Sequence, residues 1–193
     1  MKTEQKLAGT IIRTSFLIML LGGFIYPLAA TGVAQVIMPE KADGSLIYND
    51  KDEVIGSELI GQQFTNPEFF HGRVSAIEFD ASGSGSNNYA SSNEDLHERT
   101  KETLEVWKSA NPETPISEVP IDLVTDSGSG LDPHISPEGA LAQVNRISNT
   151  TGIEKEELKK LIENNTQGKE MGIFGEARVN VLQLNLDLKK LLY

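Results

Sequence analysis

The residues best equipped for chemistry are concentrated between positions 119 and 138. Asp126-Ser127-Gly128-Ser129-Gly130 sets two hydroxyls among glycines directly after an acid. The backbone N–H groups of such a loop can cradle an anion. The spacing matches neither GxGxxG nor GxxxxGK[ST], and no Lys follows to balance a phosphate. A Gly-rich turn between two elements is the better reading. Ser84 and Ser129 each lie between glycines, but neither sits in a G-x-S-x-G elbow. Asp132-Pro133-His134 brings an acid and an imidazole together. A metal would need a third ligand, and His71 and His97 are distant in sequence and cysteine is absent. A turn Asp beside a hydrogen-bonded His is therefore expected. No set of nucleophile, base and orienting group emerges, which argues against a hydrolase.

Composition narrows the classes further. The 193 residues carry 17 Lys+Arg against 28 Asp+Glu, a net charge of −11. Nucleic-acid binding needs a basic stripe, and none is present. The absence of cysteine removes disulfides, CxxC redox chemistry, thiolate zinc sites and Cys nucleophiles. Hydrophobic residues at 38% with 17 glycines are ordinary for a globular chain. A disordered tail and a polytopic membrane protein are both excluded.

The elements that position these residues begin with an apolar N-terminus. Ile11 and Ile12, then residues 16–30, are apolar, and the character continues through Val33, Ala34, Val36 and Ile37. A bilayer core needs about 20 such residues in a helix. A cleaved signal peptide is the rival, with Lys2, Lys6 and Arg13 as its basic region. Leu28-Ala29-Ala30 is a poor cleavage signal, however, because it is not A-x-A. The expectation is a cytoplasmic stretch 1–10, a transmembrane helix 11–36 and a soluble domain 37–193. The three basic residues precede the span, and the first after it is Lys41, next to Glu40. The positive-inside rule then places the soluble domain outside the cytoplasm. Gly22 and Gly23 would let another helix approach the span closely.

In the soluble domain, residues 46–48, 74–79, 119–125 and 178–182 read as short strands. Asp122 would face solvent in the third of these. Residues 81–93 read as a flexible Ser/Gly/Asn loop. A helix from Asn93 to about 110 would bury Leu96, Leu104 and Trp107. Ser136-Pro137-Glu138 is a helix start with an N-cap, a Pro at the first position and an acid at the positive dipole end. That helix would bury Leu141, Val144 and Ile147. A third, 154–164, would bury Leu158, Leu161 and Ile162, with Glu154, Glu156 and Glu157 at its start. Residues 184–192 fit strand or helix equally. Asn180 and Asn185, set among apolar residues, are placed to satisfy buried backbone groups. The fold class is a single transmembrane helix followed by one mixed domain, α/β or α+β.

Four ordered segments carry a resemblance to a known family. Asp126-Ser127-Gly128-Ser129-Gly130-Leu131-Asp132-Pro133-His134-Ile135-Ser136-Pro137 resembles the central signature of the C subunit of the Kdp-type potassium-transporting ATPase. Gly61-Gln62-Gln63-Phe64 with Phe69-Phe70-His71-Gly72-Arg73-Val74-Ser75-Ala76 precedes it in the family's order. Ala81-Ser82-Gly83-Ser84-Gly85-Ser86-Asn87 and Val179-Asn180-Val181-Leu182-Gln183-Leu184-Asn185 complete the set. Val74 stands where the family usually has Pro, and residues 88–93 depart from its loop pattern.

The resemblance implies a non-catalytic accessory subunit of a high-affinity, ATP-driven potassium uptake complex in the cell membrane. Its partners would be a potassium-channel-like subunit and a P-type ATPase subunit. The chain lacks the Asp-Lys-Thr-Gly motif of the ATPase subunit. The family's small subunit is described as stabilising assembly and raising the ATP affinity of the hydrolysing subunit. Alternatives are direct nucleotide binding, or a structural role at the outer potassium entrance. The family's nucleotide role attaches to a glutamine that corresponds here to Gln143. The residues around Gln143 argue against direct contact with ATP. Arg146 is its only basic neighbour, and the orientation places it away from cytoplasmic ATP. Gln143 is expected to flank the buried face of its helix and bond to backbone or to a partner. No cofactor is expected on this chain itself.

Overall fold

The computed structural model describes Lys2 to Leu192, with side chains from Leu7 onward. It divides into two compact units, Met1–Leu46 and Ile47–Tyr193. The first is dominated by helix: α1 (Lys2–Leu20), a five-residue π-helical turn (Leu21–Ile25) and α2 (Tyr26–Ile37) run on without a break, and a short α3 (Pro39–Ala42) follows. The stretch Leu7–Ile37 is long and apolar enough to cross a membrane. The π turn has a local cause. Pro27 has no N–H to return to the helix, and the preceding turn widens so that the Tyr26 N–H reaches the Leu21 carbonyl. Gly22 and Gly23 lie inside this turn, and a Cβ on either would meet nothing within 4 Å.

β1 (Leu46–Tyr48) and β2 (Val54–Ser57) form a two-stranded sheet. The Asn49 side chain closes the turn between them by accepting from the Lys51 and Glu53 N–H groups, at 2.9 Å each. The second unit continues with α4 (Glu94–Ala110), β3 (His134–Ile135), α5 (Pro137–Leu141), α6 (Val144–Thr151) and α7 (Lys155–Asn164). β4 (Thr166–Gln167), β5 (Arg178–Asn180) and α8 (Val181–Leu192) complete it. The three-stranded sheet has the order β3-β5-β4 and is antiparallel throughout, with Ile135 opposite Val179 and Thr166 opposite Val179. Helices packed on a small antiparallel sheet make this an α+β unit. The core comes from spaced positions: Leu158 and Ile162 of α7, Val181, Leu184 and Leu188 of α8, and Val144 and Ile147 of α6. Phe70, from a segment with no regular structure, is fully enclosed among them.

The helix starts follow their caps. Asn93 accepts from the Leu96 N–H, and Ser136 accepts from the Gly139 N–H at 2.9 Å. In α4 only Trp107 is buried; Leu96 and Leu104 are half-covered. The helix begun at Ser136 differs from expectation. It breaks after Leu141 and resumes at Val144, and Gly152 at φ +78 ends it. Leu141 is exposed, and Ala140 takes the buried place.

Two expected strands are corrected. Residues 119–125 form no strand, because Pro115 and Pro120 each lead into a 3-10 turn, Ile116–Glu118 and Ile121–Leu123. Proline cannot donate to a ladder. Asp122 consequently does not sit in a strand facing solvent. It accepts from the Ser136 N–H at 2.7 Å and the Ser136 hydroxyl at 3.1 Å, bracing the start of α5. Of residues 74–79, only Val74 makes a bridge, parallel to Asp126, and Glu78 and Phe79 then take positive φ. At the C-terminus the strand stops at Asn180. Its side chain accepts from the Gln183 N–H and caps α8, which decides 184–192 as helix.

The double use of Ser136 yields a measurable expectation. Ser136→Ala removes the cap and one contact with Asp122. It should cost about 1 kcal/mol and lower the thermal midpoint by about 2–4 °C, with the helical circular dichroism unchanged at room temperature.

Candidate functional site

The loop 126–133 is a meeting point built from four distant segments. Gly61 donates to the Leu131 carbonyl at 2.7 Å, and Ser75 Oγ donates to the Gly130 carbonyl at 2.7 Å. Gly85 donates to the Ser129 carbonyl at 2.9 Å, and Val181 donates to the Pro133 carbonyl at 2.9 Å. Arg73 reaches Asp132 Oδ2 at 3.0 Å and the Asp126 carbonyl at 3.2 Å. Arg99 of α4 holds Asp126 Oδ1 at 2.6 Å and lies over the Tyr89 ring. Two glycines are sterically required. A Cβ on Gly61 would sit 2.6 Å from the Asp132 carbonyl oxygen, and one on Gly130, at φ +70, would sit 2.6 Å from Ile77.

Inside this loop the serines serve the backbone. Ser127 Oγ accepts from Gly130 N–H at 2.9 Å, and Ser129 Oγ accepts from Leu131 N–H at 3.1 Å. Asp132 Oδ1 accepts from His134 N–H at 3.0 Å. These amides are thus engaged by the loop's own side chains, as in a self-supporting turn, and the two guanidiniums that reach the loop, Arg73 and Arg99, are paired with Asp132 and Asp126. Burial works against the Asp132 carboxylate, but hydrogen bonds from His134 and Arg73 and the Arg73 charge outweigh it. They hold the carboxyl below the usual range. Among the described residues no group of three or more His, Asp or Glu side chains is placed to hold a metal ion.

The second assembly centres on Gln143, which is fully buried. Its Oε1 accepts from the His71 N–H at 2.8 Å and from Arg146 at 2.6 Å. Its Nε2 donates to the His71 carbonyl at 3.0 Å and the Gly139 carbonyl at 3.1 Å. Asn185 of α8 does the same one residue earlier. It accepts from Phe70 N–H at 2.8 Å and donates to the Phe70 carbonyl at 2.9 Å. Arg146 donates to Asn111 Oδ1 at 3.1 Å, to the Phe69 carbonyl at 3.0 Å and to the Pro67 carbonyl. The irregular segment 67–71 is therefore gripped along its backbone by three side chains from α6, its leading turn and α8.

Arg146 is buried, and burial pushes its guanidinium down to about 10, still charged at neutral pH. Among the described residues its polar partners are neutral oxygens, not a carboxylate. His71 is pushed below the ordinary histidine range, first by burial and then by the Arg146 charge, against a bond to the Asn66 carbonyl. It is thus neutral at physiological pH.

The structure brings Ser127, Gly128, Ser129, Gly130, Leu131, Asp132 and Pro133 together in the hub. Gln143 lies apart from them, in the grip on 67–71, and Gly22 and Gly23 lie in the other unit. Gln143 goes beyond flanking the buried face: it is enclosed by it. Arg146 and Asn111 are the residues that sequence reasoning missed as structural partners. The available signal was Gln143 and Arg146 three apart beside Val144 and Ile147, two polar side chains on a core-facing stripe.

The family described as KdpC, the K+-transporting ATPase c chain, matches residues 8–190. The potassium-transporting ATPase KdpC subunit of Bacillus cereus is 59% identical over 192 residues, covering 100% of both chains. Those of Bacillus thuringiensis subsp. konkukian and Bacillus anthracis are 58% identical over the same span and coverage.

His71 makes the stability of the second unit pH-dependent. Its folded pKa lies below the unfolded value of about 6.5, so below that pH the unfolded chain binds the extra proton. Stability should be full above about pH 6.5 and fall as pH drops toward the folded value. The slope from one proton cannot exceed about 1.4 kcal/mol per pH unit. Thermal midpoints measured from pH 8 to 5 should show this decline, and His71→Gln should flatten it. An identical decline in both proteins would assign it elsewhere.

Proposed function

The chain belongs to the KdpC family of potassium-transporting ATPase subunits, and from that premise we propose that it is a non-catalytic accessory subunit of an ATP-driven potassium uptake complex. In this reading it stabilises the assembly and raises the ATP affinity of the hydrolysing subunit without binding ATP itself. The observation that carries the proposal is the state of Gln143. Both ends of its amide are engaged inside the protein, and no part of the side chain is open to solvent. Contact with a nucleotide would leave the His71 backbone and the Arg146 Nη2 group without these bonds in the interior, at about 1–3 kcal/mol for each buried group. Gln143 then supports ATP affinity only by holding the soluble unit in one shape.

Orientation agrees with an indirect role. Lys2, Lys6 and Arg13 precede the apolar stretch, and Lys41 beside Glu40 follows it. The rule of positive charge inside puts the soluble unit on the outer face. Assistance to ATP hydrolysis then passes through the anchor and through subunit packing. The open surface at Gly22 and Gly23 supports a close helix–helix contact there. The partners are the potassium-channel-like subunit and the P-type ATPase subunit, and the ATP requirement belongs to the complex.

One preparation tests both parts. Cells expressing the whole complex with Ser91→Cys are treated with an impermeant maleimide before lysis, and the complex is purified with and without this chain. We expect labelling in intact cells and a lower KM for ATP when the chain is present. Labelling confined to lysed cells, or assembly and KM indifferent to the chain, would contradict the proposal.

A further inference from the structure

The connection from β4 to β5 carries apolar groups that the fold does not use. Met171 is 90% exposed, Ile173 76% and Phe174 63%. They cluster at the tip of a hairpin that is tightly built. Glu170 N–H donates to the Phe174 carbonyl at 2.8 Å, and Phe174 N–H donates back at 3.0 Å. Gly172 N–H donates to the Lys169 carbonyl at 3.1 Å. Lys169 pairs with Glu176 at 3.0 Å, and Arg178 pairs with Glu170 at 3.4 Å. Met171 itself sits at φ +53, a conformation an L residue enters only under constraint. The tip is thus an ordered apolar knob with a rim of two cations and two anions.

The rim helps to identify the occupant. An anionic bilayer surface would repel this unit. The chain is acidic overall, and three of its basic residues lie at 2, 6 and 13, outside the unit. The rim also lacks the Lys/Arg excess that membrane-docking elements use. A second copy is a poor fit, because three side chains fall far short of the roughly 1,200 Å² a stable pairing needs. A protein cleft suits it better. Met and Phe are enriched at interface centres, ringed by polar residues. A preordered knob loses little freedom on docking, and partners already held in one complex need only a small contact.

We infer that Met171, Ile173 and Phe174 form a docking knob that inserts into an apolar cleft on a membrane-embedded subunit of the same transporter. This rests on the accessory-subunit reading above. The test places the photocrosslinker p-benzoylphenylalanine at position 171 of the full chain, in the assembled complex. Irradiation should join this chain to one other subunit. The triple variant Met171→Ser, Ile173→Ser, Phe174→Ser should keep its circular dichroism and lower co-purification of the other subunits about tenfold. An intact complex with adducts only to lipid, only to a second copy, or to nothing overturns the knob and leaves the accessory role standing. A chain that does not co-purify with the transporter at all overturns both.

Discussion

A stretch of backbone without helix or strand enters the core of the second unit at Phe70, and its polar groups have to be paired there. Phe70 is fully enclosed, and its neighbours Phe69 and His71 are half-buried. Buried N–H and C=O groups left unpaired cost as much as a lost hydrogen bond each. Among the described residues no neighbouring strand supplies the pairing. Asn185 and Gln143 imitate one, each presenting an amide that both accepts from and donates to successive residues, Phe70 and His71. Arg146 closes the remaining carbonyls at Pro67 and Phe69. The charge on Arg146 is tolerated inside because its acceptors are aligned neutral oxygens, and its cost appears as a depressed guanidinium pKa.

The rest of the unit is arranged around that grip. Holding 67–71 places Arg73 and Ser75 against the 126–133 loop, where they meet Asp132 and the Gly130 carbonyl. Gln143 can reach inward because the helix from Ser136 breaks after Leu141, and its donation to the Gly139 carbonyl covers part of the break. Asn185 is positioned by α8, whose start is fixed by the Asn180 cap and by Val181 bonding to Pro133. Of the four sequence segments that mark the family, one is thus the hub loop itself and the other three bond to it. They share structural duties, and a substitution in one acts through the others.

Local signals were readable wherever local physics decides. Asn93 and Ser136-Pro137 announced their helix starts, and the Gly-rich stretch at 126–130 was recognisable as a turn. The polar residues Asn180 and Asn185 among apolar neighbours pointed to buried backbone. What escaped depends on tertiary contact. Ala140-Leu141-Ala142-Gln143-Val144 has helical propensity throughout, and only the inward amide of Gln143 coincides with the break. Pro120 argued against a strand at 119–125, but the apolar run obscured it. In the sequence Arg146 reads only as the basic neighbour of Gln143, because its other partners, Asn111, Phe69 and Pro67, lie 35 to 79 residues away.

Native-state hydrogen exchange on the full chain in detergent tests the central claim most directly. If the side-chain grip makes 67–71 part of the cooperative core, the Phe70 and His71 amides should exchange only through global unfolding. Their protection should then match that of Ile162 in α7 and Leu184 in α8. Exchange of Phe70 and His71 at rates typical of the exposed 81–93 loop, with Ile162 and Leu184 still protected, would contradict the account.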